Sequence, residues 1–325
     1  MKRCICTVVF AILSLIALSA IAQPRIYGFG GSGLDRLEGI AADEDGRIVM
    51  TGWAESTDGT LADRDDSGHV GWVLCVDAQG NEVWSTCVSD DMAGGNEIGG
   101  ITEPMFCEDG SFTACVSMYS AAAILRFDKN GTLLERIPAQ RRASNELIAK
   151  AHVMRNDGNS GGYQLFAVDL QGNETTIATA AGVWRAIASL EDGGVVGCGF
   201  RGNGGMDSSG GQGVFTRWDA QGNVVFETTL EHNGLGSVAR MQNGFVAVSY
   251  PLDMAGAWNV VFFNGAGQIR GQIPLEPLGL NTGMSIPVTV LPDGSVALVN
   301  SVWPDPDNQD CCNGYLCIIP KEDIP

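Results

Sequence analysis

The chain has 325 residues, with 19 Lys and Arg against 38 Asp and Glu, 44 glycines and 12 prolines; 45% is hydrophobic and 18% charged. That apolar share supports a sizeable core and excludes a disordered chain. A net charge of −19 excludes a protein held on nucleic acid by phosphate contacts, and argues against docking on anionic lipid.

Met1-Lys2-Arg3 leads into an uncharged apolar run from Cys4 to Ala22, which ends in Ala20-Ile21-Ala22 and is followed by Gln23-Pro24. Positive charge, an apolar stretch and an A-x-A end mark residues 1–22 as a secretory signal peptide. The competing reading is a retained anchor, because the run is nearly long enough to span a bilayer. Small residues at its end favour cleavage. The expected product is residues 23–325 as one exported acidic domain, periplasmic, cell-surface or extracellular, with no membrane contact after cleavage.

Beyond the leader one unit recurs: an alternating apolar run, then D-x-x-G, then another extended run. It reads Trp72 to Asp77-Ala-Gln-Gly80, Ala123 to Asp128-Lys-Asn-Gly131, Leu165 to Asp169-Leu-Gln-Gly172, Val214 to Asp219-Ala-Gln-Gly222 and Val260 to Asn264-Gly-Ala-Gly267. Alternation running into this turn is a strand entering a hairpin, with Gly supplying positive φ and Asp bonding the turn backbone. A second turn precedes most copies: Glu44-Asp45-Gly46, Glu108-Asp109-Gly110, Glu191-Asp192-Gly193, Gln242-Asn243-Gly244 and Pro292-Asp293-Gly294. The order is strand A, tight turn, strand B, variable loop, strand C, D-x-x-G turn, strand D. Four strands every 40–50 residues or so is the period of a β-propeller blade.

Six units are expected, making an all-β, six-bladed propeller of four-stranded blades. Blade 3 is irregular, with Asp157–Gly162 as its B–C loop and strand A near Ser144–Lys150, so five- and seven-bladed rings stay open. The last unit stops after Tyr315–Ile319 without a strand D, while Arg25–Phe29 precedes the first strand A. The N-terminal strand is therefore expected to complete the sixth blade and close the ring. The pattern resembles the propeller repeats of secreted bacterial proteins, PQQ-like and kelch-like, whose D-x-x-G-x-x-x-W places a docking Trp four residues after Gly. Here only Trp84 fits; Glu135, Thr176, Phe226 and Gly271 occupy the matching places. The resemblance implies the fold and carries no quinone or metal site.

B–C and D–A loops share one face of such a ring. The long ones are Ala54–Val70, Asp90–Glu97, Arg201–Gly213, Glu231–Gly236, Pro251–Ala257 and Trp303–Gly314, and variable loops on a repeated scaffold are where binding concentrates. Strand A starts there and brings Asp35, Arg36, Glu97, Glu146 and Arg185 toward the channel mouth as candidate ligand-binding residues. Oxygen-rich Asp305, Asp307 and Asp310, like Asp58, Asp63, Asp65 and Asp66, are calcium candidates without EF-hand spacing; no other cofactor is expected. His69, His152 and His232 lie far apart and lack zinc-ligand spacing.

Repeat alignment places Cys115, Cys198 and Cys317 in small or apolar core slots. It leaves Cys75, Cys87, Cys107, Cys311 and Cys312 as disulfide candidates in an oxidising compartment. The resulting expectation is an exported, monomeric, non-catalytic module for a glycan, peptide or protein ligand. The alternative is an extracellular carbohydrate-active hydrolase or lyase with a carboxylate such as Glu97 or Glu146 at the mouth.

Overall fold

A computed structural model describes residues 23–62, 64, 68–89, 98–107, 109–118, 122–139, 147–149, 152–156, 162–168, 173–202, 211–253, 256–280, 286–302 and 311–325. Their strands form six four-stranded antiparallel sheets, the blades of a β-propeller. The first strand, β1 (Arg25–Phe29), belongs to the last blade. Blade 1 holds β2 (Asp35–Ala42), β3 (Ile48–Ala54), β4 (Val70–Val76) and β5 (Glu82–Val88). Blade 2 holds β6 (Ile98–Phe106), β7 (Phe112–Met118), β8 (Ala122–Phe127) and β9 (Leu133–Ala139). Blade 3 holds β10 (Leu147–Ala149), β11 (His152–Asn156), β12 (Gly162–Val168) and β13 (Glu174–Ala181). Blade 4 holds β14 (Val183–Ser189), β15 (Val195–Arg201), β16 (Gln212–Trp218) and β17 (Val224–Glu231). Blade 5 holds β18 (Asn233–Met241), β19 (Gly244–Pro251), β20 (Asn259–Asn264) and β21 (Ile269–Pro274). Blade 6 runs β22 (Val288–Val290), β23 (Val296–Val302), β24 (Asn313–Ile319) and then β1.

The ring closes as the two chain ends require. β1 pairs with β24 from Arg25↔Ile318 to Phe29↔Gly314, and β22 of blade 6 contacts β2 of blade 1. The first strands of neighbouring blades touch elsewhere too, β10 with β14, β14 with β18 and β18 with β22, forming the inner wall. The apolar core lies between blades: Trp72, Met50 and Leu74 of blade 1 pack with Leu316 and Ile318 of blade 6, and Phe215 of blade 4 with Phe263 of blade 5.

The D-x-x-G turns take the expected form. Asp77 Oδ1 accepts the N–H groups of Gln79 and Asn81 at 2.8 and 2.9 Å, and Asp219 accepts those of Gln221 and Asn223 at 2.9 and 2.8 Å. Gly80, Gly131 and Gly222 all have φ of 82°. These glycines also meet a steric demand that local turn chemistry does not reveal. A Cβ on Gly80 would lie 2.5 Å from the Tyr27 ring of blade 6, one on Gly131 2.5 Å from Trp84, and one on Gly267 2.4 Å from Phe226. Three outer strands therefore dock a ring on the next blade's turn, while that of blade 3 sets the Ile177 backbone against Gly222. Thr86 and Thr228, two residues after Trp84 and Phe226, bond the Gly131 and Gly267 carbonyls at 3.1 and 2.6 Å. The docking place that held only Trp84 by sequence is thus also filled by Phe226 and, across the closure, by Tyr27.

Two expectations change. The eight cysteines from Cys75 to Cys317 are free thiols, so Cys75, Cys87, Cys107, Cys311 and Cys312 form no disulfide here. Cys75 is buried in the sheet opposite Trp84, and burial pushes its thiol up to about 12. The presumed loop Glu231–Gly236 is a tight joint: β17 ends at Glu231, β18 begins at Asn233, and His232 alone turns the chain with φ 62°.

Candidate functional site

The expected mouth residues part company. Asp35 is fully buried. Its carboxylate accepts the N–H groups of Gly31, Glu55 and Ser56 at 2.8, 3.1 and 3.1 Å and the Ser56 hydroxyl at 2.6 Å. Its own N–H donates to the Cys312 carbonyl at 2.7 Å. Asp35 therefore ties the β1–β2 connection to the B–C loop of blade 1 and the closing blade, and has no acceptor capacity to spare for a ligand. Asp58 has a related role, accepting the Ser32 N–H at 2.7 Å. Arg36 and Arg185 do stand on the inner strands. Glu97, Glu146, Asp63, Asp65, Asp66, Asp305, Asp307 and Asp310 lie outside the described residues, among which no cluster of metal-ligating side chains occurs.

The mouth is shaped by a β-bulge repeated in strand A. Register slips between Leu37 and Gly39 in blade 1, Ile98 and Gly100 in blade 2, Trp184 and Ala186 in blade 4, and Leu235 and Ser237 in blade 5. The extra residue is Glu38, Gly99, Arg185 or Gly236, and a bulge re-aims whatever it carries. In blades 1 and 4 the strand B residue facing the bulge is glycine by necessity. A Cβ on Gly52 would stand 1.8 Å from the Arg36 carbonyl oxygen, and one on Gly199 2.1 Å from that of Val183. The next residue in strand B is aromatic in blades 1, 4 and 5: Trp53, Phe200 and Tyr250. Thr51-Gly52-Trp53 and Cys198-Gly199-Phe200 announced this in the sequence. Blade 5 hid it, because its shorter A–B hairpin (Met241 pairs with Gly244) moves Tyr250 one place along.

On blade 1 these parts form a charged aromatic cluster. The Arg36 guanidinium lies 5.4 Å from the Trp53 ring centre, and the His69 ring lies 4.6 Å from it. His69 Nδ1 is 3.4 Å from Glu55 Oε1, while its buried Nε2 has no hydrogen-bond partner among the described residues. Burial raises the Glu38 carboxyl above its ordinary value, opposed by the Trp53 indole N–H donated to it and by the charges of Arg36 and His69. Gly100 of blade 2 passes close by, its absent Cβ 3.2 Å from Glu38 Oε2.

On blades 4 and 5 the bulge presents the exposed Arg185, 5.8 Å from the Phe200 ring centre. Phe200 meets Tyr250 edge-on at 6.5 Å, and Tyr250 packs on Trp258 at 5.5 Å. The Tyr250 hydroxyl is buried next to the Arg185 guanidinium, and its proton has no acceptor among the described residues. Burial raises its pKa and the charge and hydrogen bonding of Arg185 partly offset this, so the group stays a protonated donor at neutral pH.

No protein-family model and no curated protein matches the chain. Among solved structures it is similar to TolB from Acinetobacter baumannii, with a TM-score of 0.52 and 12% identity over 87% of this chain and 63% of that one. The chain thus spans less than two thirds of that TolB. A functionally unknown protein from Desulfotomaculum acetoxidans is matched at a TM-score of 0.43 and 8% identity, over 74% of this chain and 86% of that one. The likeness to TolB is one of fold, a β-propeller. No helix among the described residues is long and apolar enough to cross a membrane.

Proposed function

We propose that this chain is an exported binding module, released as residues 23–325 by removal of the leader, that takes a ligand or partner at the channel mouth on its long-loop face. The observation carrying the reading is the repeated bulge. Three blades set an aromatic residue at one register, and two of them aim a charged side chain beside it, Glu38 and Arg185. Packing alone gives no reason to bulge a strand and then spend the extra residue on a charge. Asp305, Asp307 and Asp310 of the blade 6 B–C loop are proposed as oxygen ligands for calcium. The test is a glycan and peptide array screen of the mature protein with and without calcium. Binding that falls at least about tenfold in both Trp53→Ala and Arg185→Gln supports the mouth; binding untouched by both contradicts it.

Glu38 gives the hydrolase or lyase reading a specific footing, because a carboxyl raised above its ordinary value by burial, beside a hydrogen-bonding indole, suits a general acid. Turnover of polysaccharide substrates that disappears in Glu38→Gln would favour catalysis. Binding without turnover favours the module.

A further inference from the structure

Arg185 differs from six other arginines of this acidic chain. Arg47, Arg126, Arg155, Arg201, Arg217 and Arg240 each pair with a carboxylate. Arg201, a neighbour on the same blade, holds Glu227 through two bonds of 2.6 and 2.7 Å. Arg185 has no carboxylate partner among the described residues, in a protein with twice as many acidic as basic side chains. Its bulge turns it out of the sheet beside aromatic rings, the Phe200 ring centre 5.8 Å away and Tyr250 edge-on to Phe200. Next to the guanidinium lies the buried Tyr250 hydroxyl, whose own proton has no acceptor among the described residues.

The equivalent bulge on blade 5 carries Gly236, which has no side chain to fill the space. Packing does not demand that glycine. A Cβ there would meet the Tyr250 ring at 3.6 Å and the Val248 carbonyl at 4.0 Å, both ordinary contacts. A guanidinium without an anion, a spare hydroxyl donor and an open glycine slot thus converge between two adjacent blades.

We propose that Arg185, with Tyr250 and the opening at Gly236, forms a subsite for the terminal carboxylate of a peptide whose last side chain is apolar. The fork of the guanidinium matches the two carboxylate oxygens, and the phenol supplies a third bond to the same group. The surroundings favour a peptide end over an acidic sugar. Phe200 and Trp258 are only 8% and 5% exposed, so neither offers an open ring face for a pyranose. This subsite deepens the binding-module reading and rests on it.

The test uses one peptide array in two versions, with free carboxylate and with amidated C-termini, probed with the mature protein. Peptides with apolar last residues should be held about tenfold or more tightly as free acids than as amides. Arg185→Gln and Gly236→Glu should both abolish that preference, the second by giving Arg185 an internal carboxylate; Tyr250→Phe should weaken it severalfold. Gly236→Glu keeps the test decisive if Arg185→Gln fails to fold, since its added side chain has room. Equal binding of acid and amide, or a preference surviving in Gly236→Glu, overturns the subsite and leaves the module reading intact. Arg185-dependent binding of trigalacturonate with no peptide retained overturns the assignment to peptides. No ligand on either peptide or glycan arrays overturns the module reading itself.

Discussion

On the turn face, Asp77, Asp128 and Asp219 sit in solvent with carboxyls held below the ordinary value, Asp77 and Asp219 by the side-chain amides of Asn81 and Asn223 and then by backbone N–H groups, Asp128 by the backbone N–H of Thr132 first. At the mouth, Glu38 is withdrawn from water and held above its ordinary value. The same chemical group is thus used in opposite ways on the two sides of the ring. Turn carboxylates lock local backbone and repeat from blade to blade; the mouth carboxylate belongs to a cluster found in one blade. The regular face builds the scaffold, and the irregular face carries what is specific to this protein.

The contrast can be broken at the seam that both faces share. Deleting residues 23–30 removes the outer strand of blade 6 and the Tyr27 ring seated on Gly80. It should abolish cooperative thermal unfolding, the largest effect expected; a deletion variant melting like wild type would contradict the closure. Asp35→Ala comes next. It strands four donors at a buried site and should cost about 3 kcal/mol in chemical denaturation.

Two glycines sharpen the comparison further. Gly80 and Gly110 have φ of 82° and 77°, but only Gly80 lies beneath a ring; nothing stands within 4 Å of a Cβ on Gly110. Gly110→Ala should lose about 1 kcal/mol to backbone strain alone. Gly80→Val should lose two to three times that, roughly 2–3 kcal/mol, through strain together with displacement of Tyr27. Equal losses would mean that the docking ring contributes nothing.

The smallest effect is in pH dependence, and its sign separates the faces. Turn aspartates ionise more readily in the fold, so their stabilisation is present above their ordinary value of 3.8 and is lost as pH falls through the lowered one. Glu38 ionises less readily in the fold, so its protonated form favours folding below 4.5 and that benefit is lost as pH rises through its raised value. Melting curves of Glu38→Gln against wild type should therefore diverge in the variant's favour as pH climbs from 4 to 7. A gap that shrinks over that range would reverse the assignment.

Blade count, turn positions and the N-terminal closure were legible in the sequence because a hairpin turn is specified by adjacent residues: Asp at one end, Gly three places on, alternation before it. The docking rings were half legible. Trp84 stood out, whereas Phe226 and Tyr27 perform the same role with a different ring, and Tyr27 sits on a strand that follows no D-x-x-G turn. At the mouth, Arg36 and Arg185 stand on the inner strands where the repeat pattern puts them. Asp35 was misplaced as a ligand because its saturation by Gly31, Glu55 and Ser56 depends on the seam. Glu38 was passed over because a bulge shifts register by one residue, and one residue decides which way a strand side chain points; His69, in a loop outside the repeat, was weighed only for zinc, and the shorter hairpin of blade 5 moves Tyr250 out of line.

The mouth exists only if the ring is closed by β1, so amide hydrogen exchange at residues 25–29 of the mature protein is the most direct measurement. The account predicts protection matching β5 and β17, the outer strands of blades 1 and 4, because β1 is paired to β24 along its whole length. Exchange at the rate of an unstructured tail, with β5 and β17 still protected, would contradict it.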